Sequence, residues 1–187
     1  MVIQQLLKFS KWTAIVSFII GTCIFLFYYA TSNSNFLFIG FAYIFLAGAV
    51  NLFLLILLVI HFFKSKEGKV KILTTSGFIL LNIPIVVFYS WITIQLIDTM
   101  RITFINPTST QITDIEIVGC EEKYIAKLNP GETKTVWVHI PRDCSVHINY
   151  ILNQEKKTQE VTGYCTKGNG IKMRYRIGID KAFDKNL

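Results

Sequence analysis

Three long stretches of this chain contain no Asp, Glu, Lys or Arg: residues 12–30, 36–63 and 72–97. Such charge-free length excludes an ordinary soluble domain as the sole architecture. The chain also lacks GxSxG, HExxH, CxxC, P-loop and dinucleotide-binding glycine patterns, and with them the common hydrolase, metalloprotease, dithiol and nucleotide chemistries. There is no Asn-x-Ser/Thr glycosylation acceptor, because Asn106 is followed by Pro107. Acidic residues are scarce in the first half, where Glu67 alone precedes Asp98.

The residues present fit these absences. The 187 residues are 52% hydrophobic and carry a net charge of +7. That excess does not imply a nucleic-acid partner. Residues 1–97 hold six lysines against Glu67, a net of +5, and the remaining 13 Lys/Arg and 11 Asp/Glu add only +2. The basic surplus therefore flanks apolar segments, as in membrane topology signals, and no nucleic-acid-binding motif accompanies it.

Residues 12–30, 36–63 and 72–97 each reach the roughly 20 residues that cross ~30 Å of hydrocarbon, and they are expected to be helices in a three-helix transmembrane domain over 1–98. Ala30, Thr31 and Ser32 loosely fit a signal-peptidase site, but 19 apolar residues are long for a signal peptide, so a retained span is the preferred reading. Lys8 and Lys11 precede the first segment, the first loop is uncharged, and Lys64, Lys66, Lys69 and Lys71 fill the second. Lysine-rich short loops stay inside, so the N-terminus and loop 64–71 are expected in the cytoplasm and everything beyond Ile97 outside. Asn51 and Asn82 are expected to hydrogen-bond between helices, and Pro84 to bend the third.

From Arg101 the pattern alternates with period two. Seven short runs rich in β-branched and aromatic residues are separated by turn-forming segments such as NPTST, NPGE and TKGNG. They predict an extracytoplasmic domain over 101–180: a seven-stranded antiparallel immunoglobulin-like β-sandwich, with a small β-barrel as the alternative. Residues 181–187 read as a flexible tail.

Outside the cytoplasm, Cys120, Cys144 and Cys165 are disulfide candidates, whereas Cys23 reads as a small apolar helix residue. A tight turn at Gln154–Glu155 would set Cys144 opposite Cys165, which is the favoured pairing; sandwich logic offers Cys120–Cys165 instead. Either bridge contributes about 3 kcal/mol. A hairpin turn within PRD would place His139 opposite His147 on a solvent face, close enough to share a metal. Two ligands make no closed site, so unliganded strand histidines are preferred and no cofactor is expected. Trp137 shares a face with His139, and Lys172, Arg174 and Arg176 form a basic stripe on the last run, suited to strand-edge protection, anionic lipid or an acidic partner.

The expectation is a non-enzymatic, multi-pass protein of a bacterial inner membrane. Its partners would be membrane lipid and a protein partner or a second copy of itself, bound through Trp137, His139 and His147 or the basic stripe. A membrane immunity or anti-phage protein and a metal-handling envelope factor are the alternatives.

Overall fold

The computed structural model describes residues 3–65, 68–179 and 183–184. It divides into two compact units, 1–93 and 94–187. The division falls within the last helix, a few residues before the expected boundary near 98.

The first unit is helical. The helices are α1 (Ile3–Thr31), α2 (Ser34–Lys64), α3 (Lys69–Leu80) and α4 (Asn82–Ile97), and α3 and α4 together form one apolar span over Lys69–Ile97. Each of the three spans is long and apolar enough to cross a membrane. At 1.5 Å per residue a 29-residue span measures about 44 Å, well beyond ~30 Å of hydrocarbon. Helix α1 begins nine residues before the expected start, with Leu6 and Ser10 buried. Pro84 accounts for the interruption at Leu81: it has no N–H to give the Leu80 carbonyl one turn back.

The bundle interior is thin. Leu6, Ala14, Leu54, Leu58, Ile72 and Ile79 form its core, while Phe45 and Phe63 are 77% and 80% exposed. A helix that is apolar all round, with most of that surface uncovered, has a lipid-facing composition. Polar residues join the helices. Asn51 Nδ2 donates to Ser17 Oγ (3.1 Å) and to the Ala47 carbonyl (2.8 Å). Asn82 Nδ2 donates to the Ala14 carbonyl (3.1 Å), and the Tyr43 hydroxyl to the Ser17 carbonyl (3.1 Å). Both asparagines line a cleft of ≈ 290 Å³ together with Ser17, Tyr43 and Tyr89.

The second unit is a two-sheet, seven-strand β region. Its strands are β1 (Thr99–Ile105), β2 (Ile112–Val118), β3 (Lys123–Leu128), β4 (Thr133–His139), β5 (Cys144–Leu152), β6 (Glu155–Cys165) and β7 (Lys172–Arg176). One sheet has the order β4-β1-β7 and the other β3-β2-β5-β6. Met100, Ile102, Phe104, Val138, Met173 and Tyr175 from the first sheet meet Ile115, Ile117, Ile125, Val146, Ile148 and Tyr150 from the second in one buried core. The expected antiparallel pattern has one exception, since β1 and β7 run parallel. Residues 183–184, expected in a loose tail, form a two-residue strand β8 beside β7; the rest of 181–187 lies outside the described residues, as does Lys66 of the second loop.

The start of β1 is tied down locally. The Gly170 N–H donates to the Ile97 carbonyl (2.6 Å), the Gly168 N–H to Asp98 Oδ1 (3.0 Å) and the Ile140 N–H to the Asp98 carbonyl (2.8 Å). An added Cβ at Gly170 would overlap the Leu96 and Thr99 carbonyl oxygens, so only glycine permits this approach.

Candidate functional site

Alternation in β1, β4 and β7 sends every second side chain away from the core. In β7, Met173 and Tyr175 are buried while Lys172, Arg174 and Arg176 are exposed. Ile177 is buried too, but Gly178 (φ +86) turns the chain and Ile179 beyond it is exposed. In β4, Val138 is buried and Trp137 and His139 are exposed.

The register joins what the sequence separates. Arg101 pairs with Trp137 on one side and Lys172 on the other, Thr103 with Thr135 and Arg174, and Ile105 with Thr133 and Arg176. Thr99 pairs with His139. Trp137, His139 and the three basic residues therefore occupy one outer face of one sheet. No Asp or Glu holds an outward position on β4, β1 or β7; Asp184 of β8 is the register partner of Arg174. The Arg101 guanidinium lies 5.6 Å from the Trp137 ring centroid, and Arg101 is only 4% exposed. This cation–π contact restrains the indole and limits the rotamer entropy it loses on contact with a partner. The Thr103 and Thr135 hydroxyls bond to each other at 2.8 Å. Alternate residues on β7 stand about 7 Å apart, a spacing that sums their fields over a small area.

His139 sits at the rim of this face. Its backbone N–H donates to Glu121 Oε2 (2.8 Å), and Lys123 Nζ holds the other carboxylate oxygen at 2.7 Å. The Lys123 bond, then the His139 N–H, lowers the Glu121 pKa below its ordinary value.

Two sequence expectations fail here. His139 and His147 are not opposite each other, because β4 and β5 belong to different sheets. The PRD turn carries the chain between the sheets: Ile140 still bonds to Asp98 beside β1, and Pro141 has no N–H with which to continue a ladder. His147 instead pairs in register with Val118 and Glu160, and its Nε2 lies 3.1 Å from Ser145 Oγ. Among the described residues no group of three or more His, Cys, Asp or Glu could hold a metal ion. The disulfide is also neither expected pair. Cys120 is bonded to Cys144, and Cys165 is a buried thiol.

Arg101, Thr103 and Thr135 of this face went unread in the sequence, although the alternation in RITFIN already turned Arg101 and Thr103 outward. Two exposed tyrosines on the other sheet were also missed. The Tyr124 hydroxyl donates to Asp114 Oδ1 and that of Tyr164 to Asp143 Oδ2, both at 2.7 Å; these acceptor carboxylates raise both phenol pKa values.

Comparison with known proteins adds little to this geometry. No protein-family profile matches the chain, and no curated protein does. Among solved structures, an NMR structure of a protein from Eubacterium rectale is similar at 14% identity and a TM-score of 0.33, over 46% of this chain and 84% of that one. That likeness is too slight to bear on fold or function.

Proposed function

We propose that this is a plasma-membrane protein of bacterial type whose β region lies outside the cytoplasm and binds an acidic protein partner through the β4-β1-β7 face. The observation that carries the reading is the convergence of Trp137, Arg101, Lys172, Arg174 and Arg176 on one face. An indole held by a cation, beside further exposed cations, has the composition of a binding hot spot. Orientation is supported by Lys64, Lys69 and Lys71 around the second loop and by a disulfide in the β region, since such bonds persist in oxidising compartments. The β region is read as an immunoglobulin-like sandwich, supported by two distinct sheets over one core rather than a single closed one.

The test is photo-crosslinking of the full chain in cells. Benzoylphenylalanine at Thr135, an exposed position midway along β4 on this face, should give a discrete protein adduct that the double variant R174E/R176E removes. The same probe at Asn149, on the outer side of the other sheet, should give none. Identical adducts from both positions, or one indifferent to the charge reversals, would refute the assignment of the face.

A further inference from the structure

The three cysteines of the β region stand in a row at one end of the β3-β2-β5-β6 sheet. Cys120 lies two residues past β2, Cys144 opens β5 and Cys165 closes β6. Since β5 lies between β2 and β6, Cys144 has one cysteine on either side. It is bonded to Cys120, with Cα atoms 5.4 Å apart, and its register partner on the other side is Cys165, whose thiol is free. Cys165 belongs to the core, and Cys120 and Cys144 pack against that same core.

This placement is built in by irregularity. Near the β5–β6 turn the strands keep one register, from Leu152↔Glu155 to His147↔Glu160. Extended unchanged, it would set Gly163 opposite Cys144. Two successive register shifts, between His147 and Val146 and between Val146 and Cys144, bring Cys165 there instead. Such bulges re-aim side chains at the cost of ladder hydrogen bonds.

We propose that Cys120, Cys144 and Cys165 form a thiol–disulfide exchange site in which Cys165 displaces Cys120 from Cys144. The Cys165 thiolate attacks Cys144 Sγ, the Cys120–Cys144 bond breaks as the Cys144–Cys165 bond forms, and Cys120 leaves as a thiolate that takes up the proton Cys165 gave up. One S–S bond is made and one broken, so no outside oxidant or reductant is needed. Displacement at sulfur proceeds in line, with attacking and leaving sulfurs on opposite sides of the central one, and the strand order β2-β5-β6 puts the residues that carry them on opposite sides of Cys144.

Burial raises the Cys165 pKa, which keeps the attacking group mostly protonated at neutral pH and slows the exchange there. Exchange moves the covalent tie from β2–β5 to β5–β6. It frees the half-buried Cys120 and the residues after it, including Glu121, which holds the His139 N–H at the rim of the basic face.

The experiment uses the full chain in detergent with Cys23→Ala, incubated without oxygen at pH 7, 8 and 9. Samples are quenched in acid, alkylated with N-ethylmaleimide and mapped by unreduced digestion and mass spectrometry. Alkylated Cys120 and the Cys144–Cys165 peptide should appear together, at a rate rising about tenfold per pH unit as the thiolate fraction rises. The variant C120S, expressed under oxidising conditions, should contain the Cys144–Cys165 bond, and C165S only Cys120–Cys144. Exclusive Cys120–Cys144 linkage in the parent protein after a day at pH 9 overturns the proposal. So does a C120S protein in which Cys144 and Cys165 both remain alkylatable. The parent measurement needs no cysteine change in the β region, so a folding defect in C120S cannot mask the result.

Discussion

Replacing Asn106 by alanine tests whether one buried amide holds the β region together. Asn106 follows β1 and is fully buried. Its Nδ2 donates to the Thr110 carbonyl (2.8 Å) and the Leu128 carbonyl (2.9 Å), and its Oδ1 accepts from the Thr108 N–H (3.0 Å) and Thr108 hydroxyl (2.7 Å). Its backbone reaches the next turn as well, through Asn106 N–H to the Glu132 carbonyl and Gly131 N–H to the Asn106 carbonyl. The side chain thus pins the β1–β2 loop to the end of β3. Thr108 Oγ1 keeps its bond to the Thr110 carbonyl after truncation, so three bonds are lost outright. At about 1 kcal/mol net each, the loss is about 3 kcal/mol, a large share of the roughly 5–15 kcal/mol expected of a domain. The assay is urea unfolding of the full chain in detergent, with Trp12 and Trp91 replaced by Phe so that Trp137 alone reports. With a slope of about 1–2 kcal/mol/M, the midpoint should fall by about 2 M. Asn106→Asp preserves volume but sets carboxylate oxygens against the Thr110 and Leu128 carbonyls. Burial favours the neutral acid, so the folded-state pKa is raised and stability falls as pH rises. N106D should therefore be worse at pH 7 than at pH 4. An N106D protein that unfolds like the parent at pH 7 would refute the hydrogen-bond argument and leave packing as the cause.

Other predictions use the same reporter. Burial pushes the Tyr175 hydroxyl, which donates to the Glu160 carbonyl at 3.0 Å, from 10.0 up to about 12. Above pH 10 the unfolded chain ionises this tyrosine first, so stability should drop by about 2–3 kcal/mol as pH rises from 10 to about 12; Y175F should cost about 1 kcal/mol at neutral pH and remove this group's alkaline loss, and an unchanged alkaline slope counts against it. Gly119 (φ +113) cannot carry a Cβ without overlapping the Ser145 carbonyl oxygen, whereas Gly131 (φ +75) has open space. G119A should therefore cost more than about 2 kcal/mol and G131A about 1, and equal urea midpoints for the two would contradict the steric reading.

The sequence was most readable where periodicity is local. Each of the seven β runs becomes a strand, because alternation of buried and exposed residues requires only a core on one side. The helical spans were readable from charge-free length, and Pro84 marked the break at Leu81. Sheet membership was not readable. PRD between two alternating runs resembles a hairpin turn, yet the β4 edge stays with β1 through Ile140 and Asp98, and β5 pairs with β2 and β6. The loss of the His139–His147 pair follows from that one step. The same misreading hid the candidate face: the partner that joins Trp137 to the basic stripe is β1, adjacent to both β4 and β7 yet distant from each in sequence.

The cysteines show how a correct local conclusion can carry a wrong covalent one. Cys144 and Cys165 are indeed register partners, although the turn is at Asn153 and Gln154, both at positive φ, rather than at Gln154–Glu155. A turn displaced by one residue shifts the pairing by two, and the two bulges restore it. Facing positions are thus set by two opposing deviations, neither visible in the alternation pattern, and position alone does not select the bond. Cys144 has a neighbour on each side, and the observed bond goes to Cys120, whose loop follows a glycine that only a missing side chain lets approach Ser145. Where three cysteines share one sheet end, the sequence specifies the central sulfur more firmly than its partner. An exchange site consists of that central sulfur with two competing partners.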